Sequence, residues 1–370
     1  MLKDPRLAKL AHTLIEYSVN MKPDENVLIM APVKAKPLII ELIKAIRENK
    51  GNPIVELADT EIDREIALSV TDKALDRSFR WLDKKLDDID CIVSIRATES
   101  DYTMADVPME LKLRVAKKMN PLTNKRLGKK WVLLNYPTEG GAHKAKMSYE
   151  AFSDFIIDVA SVDYSLMDEA FKPLKKLMEK TDKVRIIAKN TDLSFSIKGM
   201  TAIPCAGNYN IPDGEIFTAP VRNSVNGYIT YNAPSPQRGS VFTNVRLEFA
   251  DGKIIKATSD QDETLLTQIF DTDEGARYVG EFAIGVNPLI HQPMGDTLFD
   301  EKIAGSIHFT PGRCYEEAPN GNDSAIHWDL VQIQTEAYGG GEIYFDDVLI
   351  RKNGRFVIKE LEGLNPENLK

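Results

Sequence analysis

Hydrophobic spacing changes character partway along the chain. Over roughly the first 180 residues, apolar positions at helical spacing take turns with short unbroken apolar runs; beyond that, apolar and polar residues alternate as in half-buried strands. Leu7, Leu10, Ala11, Leu14, Ile15 and Ser18 recur at helical spacing behind Asp4, a capping residue, and Pro5, which suits a first helical position. Asn26 to Met30 (NVLIM), Pro37 to Arg47 and Pro53 to Leu57 (PIVEL) then read as strand, helix and strand. That succession is a βαβ unit, so a parallel sheet begins here. A charged helical stretch from Leu75 to Leu86, a strand from Cys91 to Ile95, a helix from Pro108 to Met119 and a strand from Trp131 to Leu134 continue it. Tyr149 to Glu179 reads as helix, with Pro173 the place for a break or kink.

In the second half, Lys183 to Ala188, Asp192 to Ile197, Asn223 to Tyr231 and Ser240 to Phe249 alternate as strands, and Asp251-Gly252 signals a tight hairpin. A helix is expected over Gln261 to Phe270 and a last hairpin at Asn353-Gly354. Gly339 to Gly341 reads as a flexible turn. The predicted fold class is α/β: an N-terminal α/β domain with a mostly parallel sheet over residues 1–180, then a strand-rich α+β domain over residues 181–370.

Charge and composition narrow the function. A net charge of −9 argues against a general nucleic-acid binder, and the basic run Asn124 to Lys130 reads as a solvated loop ahead of a strand. No GxGxxG or GxxxxGK[ST] follows any predicted strand, so a nucleotide site is unsupported. The three cysteines, Cys91, Cys205 and Cys314, are far apart and odd in number, which fits a reducing compartment. No apolar run approaches the ~18–20 residues of a membrane span, and the N-terminus lacks a secretory pattern, so a soluble cytoplasmic protein with no membrane partner is expected.

The chemistry concentrates in Ile307 to Asp329, IHFTPGRCYEEAPNGNDSAIHWD. It holds two of the five histidines, His308 and His327, with Tyr315 seven residues after the first. His327 and Asp329, two apart on an extended segment, point to one side, where a single cation can take both. Three glutamates upstream are open to two readings each. Glu215 leaves the Pro212-Asp213-Gly214 turn as either an exposed turn residue or a held carboxylate. Glu281, among apolar neighbours, is either on the solvent face of a strand or buried against a cation. Glu301 reads by itself as a surface residue at a helix start, and His143 as a surface histidine. Two imidazoles and four carboxylates exceed the needs of one zinc or cobalt ion and suit two divalent ions, which points to metal-assisted hydrolysis.

The segments PDGEIFTAP, NGYI, DTDEGARYVGEFAIG, TLFDEK, GSIH and NDSAIHWDL resemble, in order and roughly in spacing, the aminopeptidase T, aminopeptidase S and PepS family of metallopeptidases. The likeness is strong from Asn208 to Leu330 and at fold level only over the first 180 residues. It implies a two-metal aminopeptidase, zinc- or cobalt-dependent with manganese or magnesium as further options, acting as a homodimer on peptides with a free N-terminus. It implies Glu215, Glu281, Glu301, His308, His327 and Asp329 as metal ligands in the second domain, with Glu281 bridging and serving as general base. Tyr315 falls where the family has a tyrosine near the metals, suited to hydrogen bonding an oxyanion. Glu301 precedes His308 by seven residues, where many members have Asp-Glu-Asn and a histidine five after the glutamate, and HFTPGRCY departs from the usual continuation. Glu316 and Glu317 remain alternatives for the base. A non-catalytic metal- or peptide-binding protein on the same scaffold, or a hydrolase of another amide, would share these signals.

Overall fold

The computed structural model describes residues 4–100 and 102–369. The chain forms two compact units, Met1–Ser161 with Gly207–Ile211, and Val162–Ala206 with Pro212–Lys370.

The first unit is built on strands β1 (Asn26–Pro32), β2 (Asn52–Ala58), β3 (Cys91–Arg96) and β4 (Lys130–Asn135), joined by the later β8 (Asn210–Ile211). Their order, β2-β1-β3-β4-β8, is parallel throughout. Helices α1 (Pro5–His12), α2 (Lys36–Glu48), α3 (Thr60–Ser69), α4 (Asp72–Asp87), α5 (Met109–Leu127), α6 (Glu139–Lys144) and α7 (Tyr149–Ala160) accompany it. Leu28 and Ile92, register partners on β1 and β3, pack with Leu86 of α4 and Leu122 of α5. Strands buried on both faces carry the unbroken apolar runs that mark them in the sequence. The basic run is no loop: α5 continues through Pro121 to Leu127, so Asn124 to Leu127 are helical. His143 lies in the last turn of α6 and is exposed, as expected.

The break expected at Pro173 falls earlier, at residues 161–163. Asp163 accepts a hydrogen bond from the Leu166 amide and starts a new helix, α8 (Tyr164–Met178), which contains Pro173 without ending there. α8 belongs to the second unit, so the division lies at Ser161/Val162 rather than near Lys180.

The second unit contains two larger sheets. Strands β5 (Lys183–Ala188), β6 (Thr191–Ser196), β10 (Asn226–Thr230), β13 (Arg246–Ala250), β14 (Lys253–Thr258), β18 (Gly341–Phe345), β19 (Val348–Lys352) and β20 (Arg355–Phe356) form one, in the order β14-β13-β10-β6-β5-β18-β19-β20. The other has the order β17-β16-β15-β9-β7, from β7 (Ile203–Cys205), β9 (Glu215–Thr218), β15 (Val279–Gly285), β16 (Ser306–Pro311) and β17 (Val331–Ile333). The strand expected over Ser240 to Phe249 is two: β12 (Ser240–Phe242), paired with β11 (Ser235–Gln237), and β13. Asn244, at φ 51°, takes a left-handed conformation that no continuous strand can hold. Two helices complete the unit, α9 (Glu263–Phe270) and α10 (Thr297–Asp300).

Aromatic rings join the two sheets. Phe195 of β6 lies 5.0 Å from Phe282 of β15 and 4.9 Å from Phe309 of β16, and Phe249 of β13 lies 6.0 Å from Phe309. Phe282 and Phe309 are register partners, so their neighbours along each strand point to the opposite face of the smaller sheet. That face carries the candidate site.

Candidate metal centre

The register of β9, β15 and β16 determines which side chains meet. Glu215 pairs with Gly285, Phe217 with Ala283, Ala283 with His308, and Glu281 with Thr310. With a two-residue side-chain period, Glu215, Glu281 and His308 share one face. Ala283 and Gly285 supply the room between them. A Cβ on Gly285 would lie 2.6 Å from the Ile303 carbonyl oxygen and 2.8 Å from that of Glu301, so only glycine lets the segment bearing Glu301 cross here.

Glu215 is not an exposed turn residue. The turn before it is buried: Asn287 donates to the Asp213 carbonyl at 2.6 Å, and the Val286 amide donates to the Gly214 carbonyl at 2.8 Å. Gly214, at φ 130°, allows that approach. Glu281 follows a bulge at Gly280 in the β15–β16 ladder and is buried, so it is an interior carboxylate and not one on the solvent face of its strand.

His327 and Asp329 come from the segment leading into β17, which runs antiparallel beside the end of β16 through a Gly312–His327 bridge. The Trp328 amide donates to the Pro311 carbonyl at 3.1 Å, and the Phe309 amide to the Leu330 carbonyl at 3.1 Å. His327 Nδ1 lies 2.7 Å from the Arg313 carbonyl oxygen, an acceptor only, so Nδ1 carries a proton and Nε2, which faces the site, is the atom that could act as a ligand. Thr310 donates to Asp329 Oδ1 at 2.8 Å, turning that carboxylate inward.

The contacts form a chain. Glu215 Oε2 lies 3.5 Å from His308 Nδ1, and Glu281 Oε1 lies 3.2 Å from His308 Nε2. His327 Nε2 lies 3.1 Å from Glu281 Oε2 and 3.2 Å from Asp329 Oδ1. Glu281 thus reaches both histidines. Glu301, just beyond α10, is bonded to the buried Lys302, whose Nζ also donates to Glu215 Oε1 at 3.0 Å. The Tyr315 ring lies 4.7 Å from that of His327 and 5.4 Å from Phe217, so it flanks the cluster. Glu316 and Glu317 are exposed and belong to neither ligand group.

Proximity holds protons in the cluster. Burial works against the His308 imidazolium, but Glu215 and Glu281 on either side outweigh it and lift its pKa to about 10. Burial opposes His327 likewise, and Asp329 with Glu281 raises it to about 12. Asp329 resists burial through His327 and stays below the usual carboxylate range. Burial drives the Glu301 carboxyl up to about 8 against the pull of Lys302. Burial and the surrounding carboxylates keep the Tyr315 phenol protonated.

Among the buried side-chain atoms of the described residues that lack an aligned hydrogen-bond partner, three lie in this cluster: Glu215 Oε2, His308 Nδ1 and His327 Nε2. Each belongs to a group of three residues with ligand atoms within 4.8 Å of one another, Glu215 with Glu301 and His308, and Glu281 with His327 and Asp329. Unsatisfied buried donors and acceptors cost about 1–3 kcal/mol each, and a divalent ion in exchange for the bound protons removes that cost. The oxygen and nitrogen donors fit zinc, cobalt or manganese. A third group, Cys205 with Asp213 and Glu215, shares Glu215.

Sequence reasoning missed Lys302, Thr310 and Asn322. Phe299-Asp300-Glu301-Lys302 has the pattern of a surface turn, yet Lys302 is fully buried. Asn322 donates its amide to the Gly275 and Gly312 carbonyls at 2.9 and 2.6 Å, a role no local pattern announces.

Residues 3–356 match the family model described as thermophilic metalloprotease (M29). Aminopeptidase T of Thermus thermophilus is 31% identical over 169 residues, covering 41% of this chain and 41% of that protein's length. Aminopeptidase PepS of Streptococcus thermophilus is 24% identical over 95% of this chain and 98% of its own length. The solved structure of wild-type AmpT from Thermus thermophilus superposes with a TM-score of 0.80 at 20% identity, over 96% of this chain and 99% of that one, and so shares the fold. With a family match running through both units and the strands that carry the candidate ligands, the chain belongs to the M29 family of metalloproteases.

Proposed function

We propose that this protein is a metal-dependent aminopeptidase that hydrolyses the N-terminal peptide bond of peptides with the help of two divalent ions. The observation that carries this reading is the division of six ligand-capable side chains into two adjacent groups, with Glu281 in reach of both histidines. Its relatives named as aminopeptidases support the same class. When bound, the ions would supply a water of lowered pKa and polarise the scissile carbonyl.

The chain's own residues do the rest. Glu281 holds the position between the groups and is the carboxylate assigned to take the attacking water's proton and return it to the leaving amine. The Tyr315 phenol, kept protonated, donates a hydrogen bond to the carbonyl oxygen as negative charge develops there. Arg313 and Thr310 hold His327 and Asp329 in their inward orientations. The cluster's excess of carboxylates suits a substrate's free α-ammonium, which an N-acetylated peptide lacks. The test compares chelator-stripped and cobalt-, zinc- or manganese-reloaded protein on unblocked and N-acetylated peptides. Activity should follow metal and require the free amine; turnover by the stripped protein, or preference for blocked ends, would rule the reading out.

A further inference from the structure

We infer that Lys302 is a standing cation of the metal centre that makes its two ion positions unequal, the Glu281, His327, Asp329 position holding its ion tightly and the Glu215, Glu301, His308 position weakly. The inference rests on the two-ion reading above and deepens it.

Lys302 is completely buried, and its backbone is held by the Lys302 amide donating to the Phe299 carbonyl at 3.1 Å and the Asn287 amide donating to the Lys302 carbonyl at 2.9 Å. Its ammonium cannot swing into solvent. Nζ donates to Glu215 Oε1 at 3.0 Å and is bonded to Glu301, two carboxylates of one group. Glu215 Oε2 is the oxygen left without a hydrogen bond. An entering ion therefore shares both carboxylates with a resident positive charge and meets its repulsion. Among the described residues, the ion pairs of Glu281 and Asp329 are with histidines alone, themselves candidate ligands, so no lysine or arginine side chain stands against the carboxylates of that position. The asymmetry is thus a matter of charge at one position. Without an ion there, the same ammonium offsets repulsion between Glu215 and Glu301, with buried Asp213 a further carboxylate in its surroundings.

The experiment measures ion binding, apart from catalysis. Metal-free full-length protein is titrated with Co2+ and with Zn2+ by calorimetry, with bound metal counted by equilibrium dialysis and elemental analysis. The native chain should bind two ions in well-separated steps. Lys302→Met should strengthen the weaker step by about 10- to 100-fold, the usual scale for a residue supporting metal ligands, and leave the stronger step in place. Lys302→Gln, which keeps hydrogen-bond donors but not the charge, should do the same and serves if the methionine variant folds poorly. In both variants the metal-free melting temperature should fall and its rise on metal addition should grow. A weaker step that is unchanged or weakened in both variants would overturn the inference, since Lys302 would then only orient carboxylates. One ion in the native chain and two in the variants would uphold the role of Lys302 while removing the two-ion reading of the native protein. Two equal steps in all three proteins would leave the two-ion reading intact and remove the inference.

Discussion

Replacing Asn322 with alanine tests how the site's frame is held. Asn322 is buried, and its side-chain amide donates to Gly312, which follows β16, and to Gly275, which precedes β15. Its side-chain oxygen accepts from Arg222 Nε at 3.1 Å. In Asn322→Ala, the Gly275 carbonyl keeps the Tyr278 amide as a donor at 3.0 Å, whereas the Gly312 carbonyl loses its 2.6 Å bond in a buried setting. One stranded carbonyl costs about 1–3 kcal/mol and each of the two further lost bonds about 1 kcal/mol, so a loss of about 3–5 kcal/mol is expected. For a unit of this size that is a fall in melting temperature of roughly 6–20 °C. Thermal and urea unfolding of metal-loaded protein should report it with unchanged urea slope. Asn322→Asp, which points a carboxylate at the same carbonyls, should cost at least as much. If both variants stayed within about 0.5 kcal/mol of the parent, the bonds would not hold these strand ends.

Three further outcomes follow from the same geometry. Tyr315→Phe should retain metal and fold but lower kcat by about 100-fold with little change in KM; an unchanged kcat would exclude the phenol as an oxyanion donor. Gly285→Ala should displace the segment bearing Glu301 and lower metal content, because its Cβ meets two backbone carbonyls at under 3 Å; full metal content by elemental analysis would contradict the crossing described. Asp273 resists burial by accepting from the Ala325 amide, the Ser324 hydroxyl and the Ala276 amide, which hold its pKa below the usual carboxylate value. Its contribution to stability is therefore full above its unfolded pKa of about 4 and is lost as pH falls through the lower folded value. Asp273→Asn should flatten the acid limb of the stability profile below about pH 4, and an unaltered limb in acid titration followed by circular dichroism would refute the linkage.

The parallel sheet was legible because strands covered on both faces must be continuously apolar, as NVLIM and its successors are. Where chain breaks depend on a single cap or a left-handed residue, as at Asp163 and Asn244, periodicity alone was misleading. The candidate ligands were legible from unusual residues in apolar surroundings, Glu281 above all. Their juxtaposition was not, since it depends on strand register and on Gly285 and Ala283 being small. Lys302 left no trace because a lysine beside a glutamate normally means solvent, and only tertiary structure puts both inside.

The register that brings Glu215, Glu281 and His308 onto one face also dictates when an ion can be captured. The candidate ligands run from Glu215 to Asp329, and non-local strand pairings of this kind are slow to form. A complete coordination sphere first exists once the His327 segment has docked along β16. An ion bound there would be a lock on a finished structure, acting on the rate of unfolding and leaving the rate of folding to the chain itself.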